Sequence, residues 1–489
     1  MNEQFRISQK IGLMFKTDDD IPKDIQSWTI SQLHEKSPAL GIKSISRVGN
    51  STGAAEVMPW PESLQPDLEE RARSFRRHRA FEKLSRKEKK SNTEKQRNRQ
   101  ENLFGRTDEL KFSHHNVYGN DQVRIRFMSF WTNHFTMGNI FDNENVIGHA
   151  MDEAILASLN SSFSEMLYKV TTHPAMLIYL DNIYSAGENS KKAKDCRYKV
   201  DCHAGLNDNL GRELLELHTV SPSANYTEED IRNSAKVLAG WGTHLDKALK
   251  EMRKQGKTTD HWNYYKKYYA EPGTKTVMGK NISSGKRGLR QLTDFLASHE
   301  HTIRHISGKL CQHFVSDSPK QSDIDKIAKS WRQSKGDLDK VHTKVIELAI
   351  KSKEPKFQWP INWLFQVIRL SGATYIHGWD QIYNWYDDAI MSNHKIFEEL
   401  GQSFWVSRQP NGYSSKKNEW LSGEMFERRV RFASAIYKGG DTKHSTEKIM
   451  DRIGCNNITR SLVDSVGLNQ ENRFIALMCS PELMGLESA

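Results

Sequence analysis

The chain has 489 residues, 37% hydrophobic and 27% charged, with 71 Lys and Arg against 61 Asp and Glu and a formal net charge of +10. That length suits two or more cores or one large helical body, and the balance suits a soluble protein with much exposed helix surface. No apolar run approaches the roughly 20 residues of a membrane-spanning helix, and five cysteines are too few for a disulfide scaffold.

In chain order, Met1–Lys10 lacks the charged, apolar and small-residue succession of an export signal. The expected compartment is therefore cytoplasmic, with export through a removed leader as the alternative. Ile11 to Glu35 reads as a short helix, an Asp-rich turn at Thr17–Asp20, and a second helix through Ile25, Trp28 and Leu33. Gly41 to Gln65 is rich in Gly, Ser and Pro and reads as loop. From Pro66 to Asn102 neither Gly nor Pro follows the start, which predicts a long polar helix or linker. Between Arg71 and Arg99 thirteen Lys and Arg face three Glu, so the positive excess belongs to a segment. An anionic polymer or partner suits it; a solvated helix is the plain alternative. Only Phe75 and Phe81 interrupt the charges, too few aromatics for stacking bases, so nucleic acid is disfavoured.

Asn120 to Phe135 follows, with Asp121 as a candidate cap and Val123, Phe127, Phe130, Trp131 and His134 at helical spacing on one face. Thr171-Thr-His-Pro174 opens another helix with Pro in the first turn, and Thr227-Glu-Glu-Asp230 has the form of a capping box. Glu300 to Ser316 and Asp323 to Lys351 are amphipathic, and the last third is broken at Pro355, Pro360, Gly378 and Pro410. Strand-like alternation is scarce. The expected fold is all-α, a multi-helix bundle-like body with long loops and few or no strands. It divides into residues 1–65, a basic segment 66–110, and a main body 111–489.

The chemistry concentrates in Leu206-Asn-Asp-Asn-Leu-Gly-Arg-Glu-Leu-Leu-Glu-Leu-His-Thr219. At 100° per residue Asn209, Arg212, Glu213 and Glu216 share one helix face, and Leu210, Leu214 and Leu217 form a separate stripe. Glu213 and Glu216, one turn apart, suit an acid and base pair or a shared divalent cation. Arg212 is spaced for an ion pair with Glu216, and a surface salt bridge is the plain alternative for the whole face. On a straight helix His218 points away from the carboxylates; it turns inward if the helix stops ahead of Pro222. His134 reads as a core histidine or as a base. His301 and His305 have zinc-like spacing without the Glu of a metalloprotease. Cys196 and Cys202 are spaced for a small loop disulfide, which an oxidising compartment would permit, or for two free thiols, and not for the usual zinc pairs.

The pieces Phe130-Trp-Thr-Asn-His-Phe135, His173-Pro-Ala-Met-Leu-Ile-Tyr-Leu-Asp181 and Leu206–Thr219 resemble consecutive signatures of the bacterial family DUF1800. Tyr226–Arg232, Val237–Trp241, Arg304 through Asp317 and Cys479-Ser-Pro-Glu482 continue the resemblance in order. It implies a helical and often exported protein of unsettled activity, frequently encoded beside a partner resembling the alkaline phosphatase and sulfatase superfamily. The matching pieces hold Asn133, His134, His173, Asn207, Asn209, Arg212, Glu213, Glu216 and His218, which suggests a shared polar cavity. Arg212, Glu213, Glu216, His134 and His218 are its catalytic candidates, and Asn133, His173, Asn207 and Asn209 its binding candidates. Where relatives carry His-Asp, this chain has Ala270-Glu271, and His301 and His305 replace other residues, which makes their spacing incidental. The expected function is a hydrolase or transferase with a carboxylate and imidazole site. The alternative is a non-catalytic assembly or binding factor for a phosphatase- or sulfatase-like partner or an anionic surface polymer.

Overall fold

Side-chain caps and apolar residues recurring every three or four positions fold most of the chain into helices. The computed structural model describes residues 1–43, 47–48, 51–52, 56–74, 84–89, 91, 103–139, 143–242, 265–375, 378–379, 393–405, 409–439 and 442–487. The strands among them form three two-stranded antiparallel hairpins: Leu40–Ile42 with Val57–Pro59, Arg47–Val48 with Ser51–Thr52, and Lys275–Val277 with Lys280–Ile282. The all-α reading therefore stands, although Gly41 to Gln65 is partly paired and not wholly loop. No helix among the described residues is long and apolar enough to cross a membrane.

Buried apolar side chains form one continuous core running from Phe5 to Met484. The first helix, Glu3–Ile11, stands one segment earlier than its expected place and is capped by Asn2, whose side chain accepts from Phe5 N–H. It lies against the end of the chain: Gln9 donates to the carbonyls of Glu482 and Leu483. The helix expected at Asp323 to Lys351 is two helices, Gln321–Ser334 and Leu338–Lys351. Between them Lys335 and Gly336 adopt positive φ, which ends the first helix as a left-handed cap does.

Asp121 does stand at the start of the Gln122–His134 helix, but its side chain makes no cap bond. It accepts from His115 Nε2 at 2.6 Å instead. The Thr227 capping box is fully formed, and Asp230 uses its second oxygen to accept from Met278 N–H at 2.6 Å. That bond ties the Glu228–Leu238 helix to the turn of the third hairpin. The basic segment is described only in part. Residues 68–74 are helical and pack inward through Arg71, a short helix spans Arg86–Lys89, and most of the stretch from Phe75 to Asn102 lies outside the described residues.

Candidate functional site

The Asn209–Glu216 helix buries Leu210, Gly211, Leu214 and Leu215 against the Glu228–Leu238 helix and the core. Its outward face carries the expected polar set, but not with the expected pairing. Arg212 donates both terminal nitrogens to Glu228, at 3.1 and 2.9 Å, and lies 3.5 Å from Asp208. Its ion pairs are with these two carboxylates and not with Glu216. Glu216 accepts instead from the Tyr226 hydroxyl at 3.4 Å.

Arg212 therefore forms its ion pairs away from Glu213 as well. Burial pushes the Glu213 carboxyl up to about 7, the neighbouring Glu216 adds to the rise, and Arg212 only partly opposes it. Tyr179 and Tyr226 close the face. Burial, reinforced by the nearby carboxylates, pushes both hydroxyls up to about 12, so they remain hydrogen-bond donors at neutral pH.

The helix stops at Glu216, and the backbone reverses. Two bonds hold the reversal: His218 N–H donates to the Glu213 carbonyl at 2.9 Å, and the Thr219 hydroxyl donates to the Leu214 carbonyl. His218 is thereby turned inward, as an early stop permits, and is buried edge-on against Phe135. Two other imidazoles grip this turn. His134 Nε2 lies 3.2 Å from the His218 carbonyl, and His305 hydrogen-bonds the Leu217 carbonyl. Lys309 completes the group, with Nζ 3.0 Å from His134 Nδ1.

The remaining candidates lie elsewhere. Asn207 and Asn209 line an open cleft of about 730 Å³ with Tyr184, Lys192, His203 and Lys266. Asn207 also accepts from Asn209 N–H at 3.0 Å, starting the helix. Asn133 brackets the backbone of Tyr413, accepting at 2.7 Å and donating at 2.9 Å, and so fastens a loop. His173 caps the Pro174–Tyr179 helix and meets His149 at 3.0 Å between ring nitrogens. The nine residues thus occupy several places and do not share one cavity.

His301 and His305 take different partners: His301 meets Ser223 at 3.1 Å, while His305 hydrogen-bonds Leu217. Among the described residues no group of three or more His, Cys, Asp or Glu is placed to hold a metal. Glu271, at the departure from the His-Asp pattern, is buried and accepts from Asn189 N–H and Nδ2 at 2.9 and 2.7 Å. It braces the loop ahead of Cys196, which is bonded to Cys202.

Sequence reasoning missed Lys309, Tyr179 and Tyr226. A signal was there: His305, Lys309 and His313 recur every four residues, as do Arg126, Phe130 and His134. Phe130 meets both His134 and His313, so the two stripes form one seam between their helices.

No curated protein and no solved structure matches the chain. The family profile described as "protein of unknown function (DUF1800)" matches residues 22–477, and the chain belongs to that family.

Proposed function

We propose that the protein is an acid–base enzyme of the hydrolase or transferase class, with Glu213 as the group that transfers the proton. The observation that carries this reading is the Glu213 carboxyl, pushed up to about 7 by burial and by Glu216. A carboxyl that titrates near neutrality can give and take a proton at working pH. Tyr179 and Tyr226 supply neutral donors beside it. The imidazole part of the expected site, His134 and His218, is buried and neutral, which suits positioning better than proton transfer from solvent.

Stability against pH tests this reading. The folded-state pKa of Glu213 lies above its ordinary 4.5, so the folded protein holds the proton more tightly than the unfolded chain. Stability from this group is fully present below about 4.5 and falls as pH rises to about 7. With allowance for solvent screening at this half-buried group, the loss is about 1–2 kcal/mol. Glu213→Gln should therefore leave stability unchanged at pH 4.5 and raise it at pH 8, while removing any turnover of chromogenic ester, phosphate or glycoside substrates. Denaturant unfolding at the two pH values reads the first effect. A plain surface salt bridge predicts the opposite sign at pH 8, and that result would overturn the proposal.

A second reading, a binding factor for an anionic polymer or a phosphatase- or sulfatase-like partner, is supported by the loop closed by Cys196–Cys202. There Tyr198 and Val200 are 86% and 92% exposed, among the exposed cations Lys194, Arg197 and Lys199. The bridge also favours export, since such bonds persist in oxidising compartments. Changing the three cations to Glu should lower the salt needed to elute the protein from an anionic matrix; unchanged elution would remove this reading.

A further inference from the structure

We propose that Lys309 is a nucleophilic amine that takes a small carbonyl compound, with His134 as a proton relay beside it and the His218 carbonyl holding that imidazole in orientation. The three groups form a chain. His134 Nε2 donates to the His218 carbonyl at 3.2 Å, which fixes the neutral tautomer whose Nδ1 accepts. Lys309 Nζ stands 3.0 Å from that Nδ1. A nucleophile, an imidazole that accepts from it and a group that orients the imidazole, all within hydrogen-bond reach, place a proton path beside the amine. This site is independent of the Glu213 reading.

The surroundings favour a free amine over a structural cation. Among the described residues no carboxylate pairs with Lys309, and burial pushes its amine down to about 8. Among the described residues, His134 and His218 from the packed elements, and His305 and His313 from its own helix, are the titratable groups near it. Burial, reinforced by nearby cations with Lys309 among them, holds all four as neutral imidazoles: about 3 for His218, about 4 for His305, and well below the ordinary range for His134 and His313. Both ring nitrogens of the buried His218 lack a hydrogen-bond partner, an arrangement that costs free energy unless a ligand answers it.

In the reaction the amine nitrogen bonds to the carbonyl carbon while the carbonyl π pair moves to oxygen. Both amine protons pass by way of His134 Nδ1 to that oxygen, which leaves as water, and an imine remains. No oxidant or reductant is needed. Small carbonyl compounds are the best-matched class, because the amine is buried.

The test uses the intact protein, glyoxylate and cyanoborohydride, which reduces the imine and leaves one carboxymethyl group on the modified lysine. Peptide mapping reads where the label sits. An amine at about 8 instead of 10.5 carries roughly 300-fold more free base at neutral pH. Its lower intrinsic reactivity takes back part of that gain, so Lys309 should label about tenfold faster than the exposed Lys353, with a pH inflection near 8. Labelling of Lys309 no faster than Lys353, or with the pH profile of an ordinary lysine, overturns the proposal.

Discussion

Asp108→Ala is expected to cost the fold about 3–5 kcal/mol, because it leaves the buried Arg71 guanidinium without its anion. Arg71 donates to Asp108 through both terminal nitrogens, at 2.6 and 3.0 Å, and the two side chains are 3% and 2% exposed. The same guanidinium donates to the carbonyls of Asn145 at 2.8 Å and Pro66 at 3.0 Å. It is therefore a four-point tie from the helical turn 68–74 to Pro66 and to the helices Leu103–Tyr118 and Glu144–His149. Burial alone would lower the Arg71 pKa, but Asp108, with Asp152 and Asp67, offsets that, and the net direction is upward. The charge stays, and so does the penalty when its partner goes. A shift in the denaturant midpoint at unchanged slope measures the loss. The double variant Arg71→Met with Asp108→Leu should recover much of it, since neither charge is then buried alone. A loss below about 1 kcal/mol in the single variant would mean that Arg71 reaches water, contrary to its burial.

Arg71 also marks where the sequence was legible and where it was not. Counting charges from Arg71 to Arg99 located a basic segment, but nothing in the count separates an arginine buried against Asp108, 37 residues away, from its solvated neighbours. Local signals carried further. The Thr227 capping box and the proline-opened helix at Pro174 were readable because their hydrogen bonds join near neighbours in the chain. Helical periodicity likewise placed Arg212, Glu213 and Glu216 on one face. Periodicity did not show that Arg212 would choose Glu228 over Glu216, because the competitor sits on the next helix. Nor did it show the stop after Glu216, on which the inward turn of His218 and its grip by His134 and His305 depend. The missed Lys309 belongs to the same class: its meaning comes from a contact with His134, 175 residues away.

The second large effect is expected at Gly211, in the Leu206–Thr219 segment. A Cβ built there would lie 2.8 Å from Ala235 N, 3.0 Å from Ile231 O and 3.1 Å from Ala235 Cα. All three are backbone atoms of the Glu228–Leu238 helix, so no side-chain rotation relieves the clash. The Asn209–Glu216 helix can accept a side chain at this position only by moving away. Gly211→Ala gains about 1 kcal/mol of helix propensity and loses more to overpacking, for a net cost of about 1–2 kcal/mol. Gly211→Leu has no compensating space and should cost about 3 kcal/mol or more. The consequence for the site is separable from the loss of stability. Moving the helix outward lengthens the Arg212 bonds to Glu228 and frees Arg212 to reach Glu216 and Glu213. The Glu213 carboxyl then falls back toward its ordinary range, and the pH-dependent loss of stability between about 4.5 and 7 shrinks. Measuring unfolding of Gly211→Ala at both ends of that window reads the two effects together. A variant that is destabilised equally at pH 4.5 and pH 8 would show that Glu213 does not depend on the close approach of these two helices. A destabilisation that narrows toward pH 8 would show that this glycine sets the proton affinity of the candidate acid.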